Sequence, residues 1–204
     1  MEYACPMNYT LRCQCGTIQG QVDTQHSAGR AICYCVDCQA FARFLGRQSE
    51  ILNSQGGTEI IASLPQSVRF TAGAENLACM SLSEKGLLRW YASCCRTAIG
   101  NTPRDQRMSY VGLVRSCLPG ADAALHEAFG PLKIALNTGS ASGKVAATPV
   151  ATFFGVLKIM KNVVGVRLSG KYKDNPFFSS VEGTPIKVPK NLTAGERQAL
   201  NSAA

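Results

Sequence analysis

Cys33-Tyr34-Cys35-Val36-Asp37-Cys38 places three cysteines within six residues, and four more stand in two tight groups, Cys13-Gln14-Cys15-Gly16 and Cys94-Cys95. Reading outward from the triple, the question is what seven clustered sulfurs do in a chain with ten cysteines in all. Met1 to Thr10 lacks a basic segment followed by an apolar run, so no secretory signal is read and a reducing, cytoplasmic setting is expected. There, clustered cysteines point to metal ligation or thiol chemistry rather than to a disulfide framework. Cys5, Cys79 and Cys117 stand apart and read as small buried apolar side chains.

Seven divides into four and three. Structural zinc is closed by four ligands, whereas catalytic zinc keeps three protein ligands and an open position. A two-cysteine group near each end of a β domain can staple those ends together, leaving the local triple to bind alone. The expected structural site is therefore Cys13, Cys15, Cys94 and Cys95, and the expected open, catalytic site is Cys33, Cys35 and Cys38. On a straight strand Cys13 and Cys15 would stand about 6.7 Å apart. Two thiolates on one tetrahedral zinc lie roughly 3.8 Å apart, given Zn–S near 2.3 Å. The chain must bend, and Gly16 permits it. Adjacent Cys94 and Cys95 point to opposite faces of a strand and share a metal only where the chain turns; otherwise Cys79 is the alternative fourth ligand.

Other readings fit less well. Cys35-x-x-Cys38 lacks the βαβ surroundings of a redox dithiol. A zinc ribbon needs a second Cys-x-x-Cys, and a zinc deaminase needs His-x-Glu. His26 and His126 lack ligand spacing and read as surface residues.

With 46% hydrophobic residues and a mean hydropathy of zero, the chain can bury a core. The expected organisation is mainly β: a zinc-stapled β domain over residues 1–115 and a basic, partly helical extension over 116–204, packed on it or tethered to it. Ile18 and Val22 alternate with polar neighbours as in a half-buried strand. Residues 39–46 read as a short helix ended by glycine. Short strands are predicted at 59–61, 67–70, 77–82, 87–91 and 109–114, with 83–86 as a hairpin loop. Further on, 122–129 reads as a helix capped by Asp122 and ended by Gly130-Pro131, and 137–148, rich in Gly, Ser and Ala, as a mobile loop. Pro149 to Leu168 sets Phe153, Leu157, Met160 and Val164 at helical spacing, with Lys158 and Lys161 on another side. That apolar stripe is expected to pack on the β domain with the lysines in water. Two lysines in so short a run argue against a membrane span, and a surface-lying amphipathic helix is the alternative. Thr193-x-x-Glu196 forms a capping box for a terminal helix.

The cysteine framework, together with Ser67-Val68-Arg69-Phe70-Thr71-x-Gly73, Arg89-Trp90-Tyr91 and a cysteine pair before Thr97-x-Ile99, resembles the glutathione-dependent formaldehyde-activating enzyme family, which includes centromere protein V. The resemblance spans residues 10–115. It implies a tent-like β fold with one structural and one catalytic Zn2+ and a carbon–sulfur lyase acting on a small thiol adduct such as a glutathione conjugate. Its structural ligands fall on Cys13 and Cys15, and its catalytic ligands on Cys33, Cys35 and Cys38. Two positions depart from it: Tyr34 stands where the family usually has His, and Ala92-Ser93-Cys94-Cys95-Arg96 where it usually has Cys-x-x-Cys-Gly. In that register Cys95 falls on the second cysteine and Ala92 on the first.

At an open three-cysteine zinc site an incoming thiol is held as thiolate. It can attack a small aldehyde, or the reverse cleavage can run. Arg43 and Arg47 are the expected compensating cations. The net charge of +8 lies almost wholly in residues 101–204, and Lys158, Lys161, Arg167, Lys171 and Lys173 form a stretch without an acid. The alternative function is accordingly a non-catalytic zinc-stabilised binding module whose basic region contacts nucleic acid or an anionic membrane surface.

Overall fold

The computed structural model describes residues 8–202; Cys5 lies outside them. Among the described residues eleven strands form two sheets, so the architecture is mainly β. In chain order the elements are β1 (Asn8–Arg12), β2 (Gln19–Asp23), β3 (Gly29–Cys33), α1 (Val36–Leu45), α2 (Gln48–Ile51), β4 (Thr58–Ser63), β5 (Val68–Ala72), β6 (Leu77–Ser81), β7 (Leu88–Ala92), β8 (Ala98–Thr102) and β9 (Val111–Val114). Then come α3 (Asp122–Phe129), β10 (Leu132–Leu136), α4 (Pro149–Leu168), β11 (Lys190–Asn191) and α5 (Ala194–Ser202). The small sheet runs β1-β2-β5 and the large one β10-β3-β4-β9-β8-β7-β6-β11.

Strand alternation decides which layer covers which face. Leu77 and Cys79 of β6, Ile99 of β8, and Val111 and Leu113 of β9 point into a core shared with Leu11, Ile18, Val22 and Val68 of the small-sheet region. Met80, Ala98 and Val114, one position out of phase, point to the other face and meet Phe41, Ala42 and Leu45 of α1. β8 and β9 are buried along their whole length because both faces are covered. Trp90 sits at the centre, fully buried, and donates its indole N–H to Thr102 Oγ1 at 3.0 Å. Its neighbour at 5.1 Å between ring centroids is Phe177. Residues after 115 also supply both edge strands of the large sheet: β10 pairs with β3 and β11 with β6, each in parallel.

The predicted hairpin forms as β6 and β7, and the capping box forms at α5, where Thr193 N–H reaches Glu196 Oε2 at 2.9 Å and Glu196 N–H reaches Thr193 Oγ1 at 3.2 Å. Three expectations are corrected. Asp122 does not cap α3; Ala121 takes that position, and Asp122 turns to the buried Arg30, which also holds Glu59 at 2.8 Å. Residues 137–148 are tied down: Gln39 Nε2 donates to Ser140 O at 2.8 Å and Ser142 N–H to Gln55 O at 3.0 Å. The third concerns α4, whose Phe153, Leu157, Met160 and Val164 face outward while Val163 is buried. Its most apolar 18-residue stretch has a mean hydropathy of 1.3, so despite its lysines α4 is long and apolar enough to cross a membrane by length and composition.

Candidate metal centres

The first centre is built where β1 leaves the small sheet. After Cys13 the chain bends through Gly16, which adopts φ 78°, and Cys13 N–H returns to Ile18 O at 3.0 Å. The bend brings the Cys13 and Cys15 sulfurs to 3.5 Å. Between β7 and β8 the chain turns as well: Arg96 N–H bonds Ala92 O at 2.8 Å, and Arg96 takes a left-handed φ of 57°. The turn aims Cys94 and Cys95 to the same side, their sulfurs 3.9 Å apart. Cys94 lies 3.9 Å from Cys13 and 3.4 Å from Cys15, and all four sulfurs lie within 4.8 Å of one another. These separations bracket the roughly 3.8 Å edge of a tetrahedral zinc–thiolate site, so the residues fit a metal ion. Cys79 stays out of the group, buried in the core, where desolvation pushes its thiol up to about 12.

Neighbouring donors orient these sulfurs as outer-shell partners do around a metal. Ile18 N–H donates to Cys13 Sγ at 3.2 Å, and the Thr17 and Thr97 hydroxyls lie 3.2 and 3.1 Å from Cys15 and Cys95. The Thr17 hydroxyl leads the interactions that pull the Cys15 thiol down to about 6. Gln14 N–H donates to Thr97 Oγ1 at 3.0 Å and so links the two limbs. Both threonines stand two residues after a cysteine, a repeated Cys-x-Thr spacing that was visible in the sequence.

The second centre sits at the junction of β3 and α1. Cys33 ends the strand. Cys35 is the N-cap of α1, its sulfur accepting Cys38 N–H at 3.4 Å, so the helix starts at Val36, three residues earlier than expected. The sulfurs of Cys33 and Cys35 are 3.4 Å apart, and the three lie within 4.8 Å of one another, with no fourth His, Cys, Asp or Glu in the group among the described residues. Asp37 is turned away and pairs with Arg197 of α5 at 2.8 Å. The spacing suits three ligands on one ion.

Charge at this centre is balanced from three sides. The helix N-terminus presents its partial positive charge. Asn137 Nδ2 donates to Cys33 Sγ at 3.4 Å from the start of the 137–148 loop, held there because Tyr34 N–H bonds Leu136 O at 2.9 Å. Arg89, 4% exposed, brings Nη1 to 3.9 Å from Cys38 Sγ and stacks over Phe41 at 5.4 Å. Among the described residues no carboxylate lies within 4 Å of Arg89. A buried guanidinium needs a counter-charge, and the three sulfurs are where it finds one. Their thiols share charge unequally: hydrogen bonds from Cys35 and Cys38 pull Cys33 far down, while that sharing and burial push Cys38 up. Arg43 and Arg47, the cations expected here, do other work. Arg43 bonds Gln39 Oε1 and Leu200 O, and Arg47 bonds Cys95 O.

Tyr34 faces away from the sulfurs. Its ring packs where a Cβ on Gly57 would be, 2.6 Å away, and its hydroxyl meets Asn53 Nδ2. On the sulfur side, Ala31, Ile60, Ile134 and Leu136 pack against Cys33 and Cys38 and also line an apolar pocket closed by α4 and Tyr110.

Residues 7–187 match the model of the family of unknown function DUF6151. The chain belongs to that family. Both sulfur clusters of this DUF6151 chain, with Arg89 and Asn137, lie inside the matched residues. A solved Rhodobacter sphaeroides structural-genomics protein is 19% identical, with 56% of this chain and 92% of that one covered and a TM-score of 0.41. No curated protein matches this DUF6151 chain.

Proposed function

We propose that the chain is a zinc enzyme that makes or breaks a carbon–sulfur bond in a small thiol adduct at Cys33, Cys35 and Cys38, with Cys13, Cys15, Cys94 and Cys95 closing a purely structural site. Glutathione conjugates are the adduct class suggested by the motif resemblance to the glutathione-dependent formaldehyde-activating enzymes. The observation that carries the reading is the division itself: among the described residues one sulfur group has four members, while the other has three and is compensated by a buried guanidinium. A bound zinc would hold the substrate sulfur as thiolate at the open position.

The chain's own residues then have distinct tasks. Cys33, Cys35 and Cys38 supply ligands. Arg89 and the α1 N-terminus offset their negative charge, and Asn137 orients Cys33. In the synthetic direction the thiol sulfur bonds to the aldehyde carbon, the C=O π pair moves to oxygen, and the thiol proton ends on that oxygen; cleavage runs the same steps backward. No electrons are gained or lost. A reducing, cytoplasmic setting belongs to the proposal, because both clusters require free thiols.

Zinc per chain is the first test: two in wild type and one in Cys33→Ser/Cys35→Ser/Cys38→Ser are expected. The second is exchange between formaldehyde and glutathione, followed by NMR. Cys38→Ser should lose the acceleration and keep the fold; full activity in that variant, or one zinc in both proteins, overturns the reading.

A further inference from the structure

α4 is apolar on two faces. Gly155, Ile159 and Val163, spaced by four, turn toward the protein: a Cβ on Gly155 would meet Ile134 Cδ1 at 2.6 Å, Ile159 lines the pocket above β3 and β10, and Val163 is buried. Phe153, Leu157, Met160, Val164 and Leu168 follow helical spacing on the opposite side, joined by Val150 and Phe154, and all seven are exposed. Only 6% of the most apolar stretch of the helix is buried. Single exposed apolar side chains are ordinary, but seven on one side of a helix form a contiguous patch that marks an interaction surface.

The charges on this surface say what covers it. At 3.6 residues per turn, Lys158 and Lys161 flank one edge of the stripe and Arg167 the other. Lys171 and Lys173 follow at its end, and Lys133 shares a cleft with Phe154 and Lys158. No acid occurs between residues 149 and 173. A second copy docking on the stripe would bring Lys158 and Lys161 against their own copies with no acid on the helix to neutralise them. Nucleic acid would meet the cations but leave the apolar side chains unsatisfied. An anionic bilayer meets both, taking the apolar face below the headgroups and the cations at the phosphates. The inner face stays engaged with the sheet, so the helix lies in the interface rather than across it.

We propose that α4 is an interfacial helix that docks this protein on an anionic membrane. The inference is independent of the chemistry at the cysteine sites. It is tested by flotation of the full chain with vesicles of phosphatidylcholine, alone or mixed with phosphatidylglycerol. Binding to the mixed vesicles only, reduced by salt, is expected. Lys158→Glu/Lys161→Glu should weaken it at least about tenfold. Phe153→Ser/Leu157→Ser should abolish it without changing the melting temperature or metal content, since both side chains are exposed. No flotation with anionic vesicles at low salt overturns the proposal. So does a dimer that Phe153→Ser/Leu157→Ser dissociates, or RNA binding in place of vesicle binding. Membrane attachment that only detergent releases would also overturn it, by making α4 a span.

Discussion

Gly73→Ala connects a single missing side chain to the four-cysteine centre. Gly73 holds φ 71°, and a Cβ there would stand 2.1 Å from Thr17 O and 3.1 Å from Ile18 Cα. The left-handed conformation alone costs a residue with a Cβ about 1–2 kcal/mol. To restore an ordinary carbon–oxygen spacing the Thr17 peptide has to retreat by roughly 1 Å, and forcing such a shift adds about 1–3 kcal/mol. Thr17 and Ile18 carry the hydroxyl beside Cys15 and the N–H that bonds Cys13. A metal site tolerates errors of only about 0.2 Å in its ligand distances, so that displacement is several times too large. The expected result is a loss of about 3 kcal/mol in stability, with one metal per chain retained, at Cys33, Cys35 and Cys38. Thermal unfolding and metal analysis by mass spectrometry read the two effects. Gly139→Ala is the control, since its Cβ would meet nothing within 4 Å. Unchanged stability and metal content in Gly73→Ala would refute the claim that this glycine supports the centre.

Arg89 should couple energetically to the triple: in a double-mutant cycle between Arg89→Met and Cys38→Ser, the two losses in stability should be non-additive by about 1–2 kcal/mol, and simple additivity would show that the guanidinium does not use the sulfurs as its counter-charge. Glu59→Gln leaves Arg30, whose side chain is 1% exposed, with only Asp122, and should cost about 3 kcal/mol in denaturant unfolding. Arg30 holds the Asp122 carboxyl below its usual range. That contact therefore stabilises the fold above the carboxyl's unfolded pKa and is lost as pH falls through the depressed folded one. Asp122→Asn should flatten the stability curve below about pH 4; an unchanged acid limb would count against the pair. Phe177→Ala removes the ring packed on Trp90 and should cost about 4 kcal/mol by calorimetry, whereas a small loss would mean that the segment after residue 115 is dispensable to the core.

What the sequence determined by itself was everything local. Cys-x-Cys-Gly, Cys-x-Cys-x-x-Cys and Cys-Cys announce ligand sets because ligand spacing is a short-range property, and the division into four and three follows from counting. The hairpin at β6 and β7, the α5 capping box and the glycine that ends α1 were legible for the same reason: turn and cap chemistry acts over a few residues. Whether Cys94 and Cys95 face one way depended on the turn at Arg96, and whether Cys13 meets Cys94 depended on two sheets stacking across 81 residues of sequence. Arg89 and Asn137 were invisible as site residues, because a charged residue in a strand and an asparagine in a loop carry no signal of the sulfurs they approach. α4 makes the point most sharply. Its period of 3.6 predicts two faces, but both are apolar, and only the edge of the large sheet, with Ile134 fitted against Gly155, decides which one turns inward. Periodicity defines a face; packing chooses its partner.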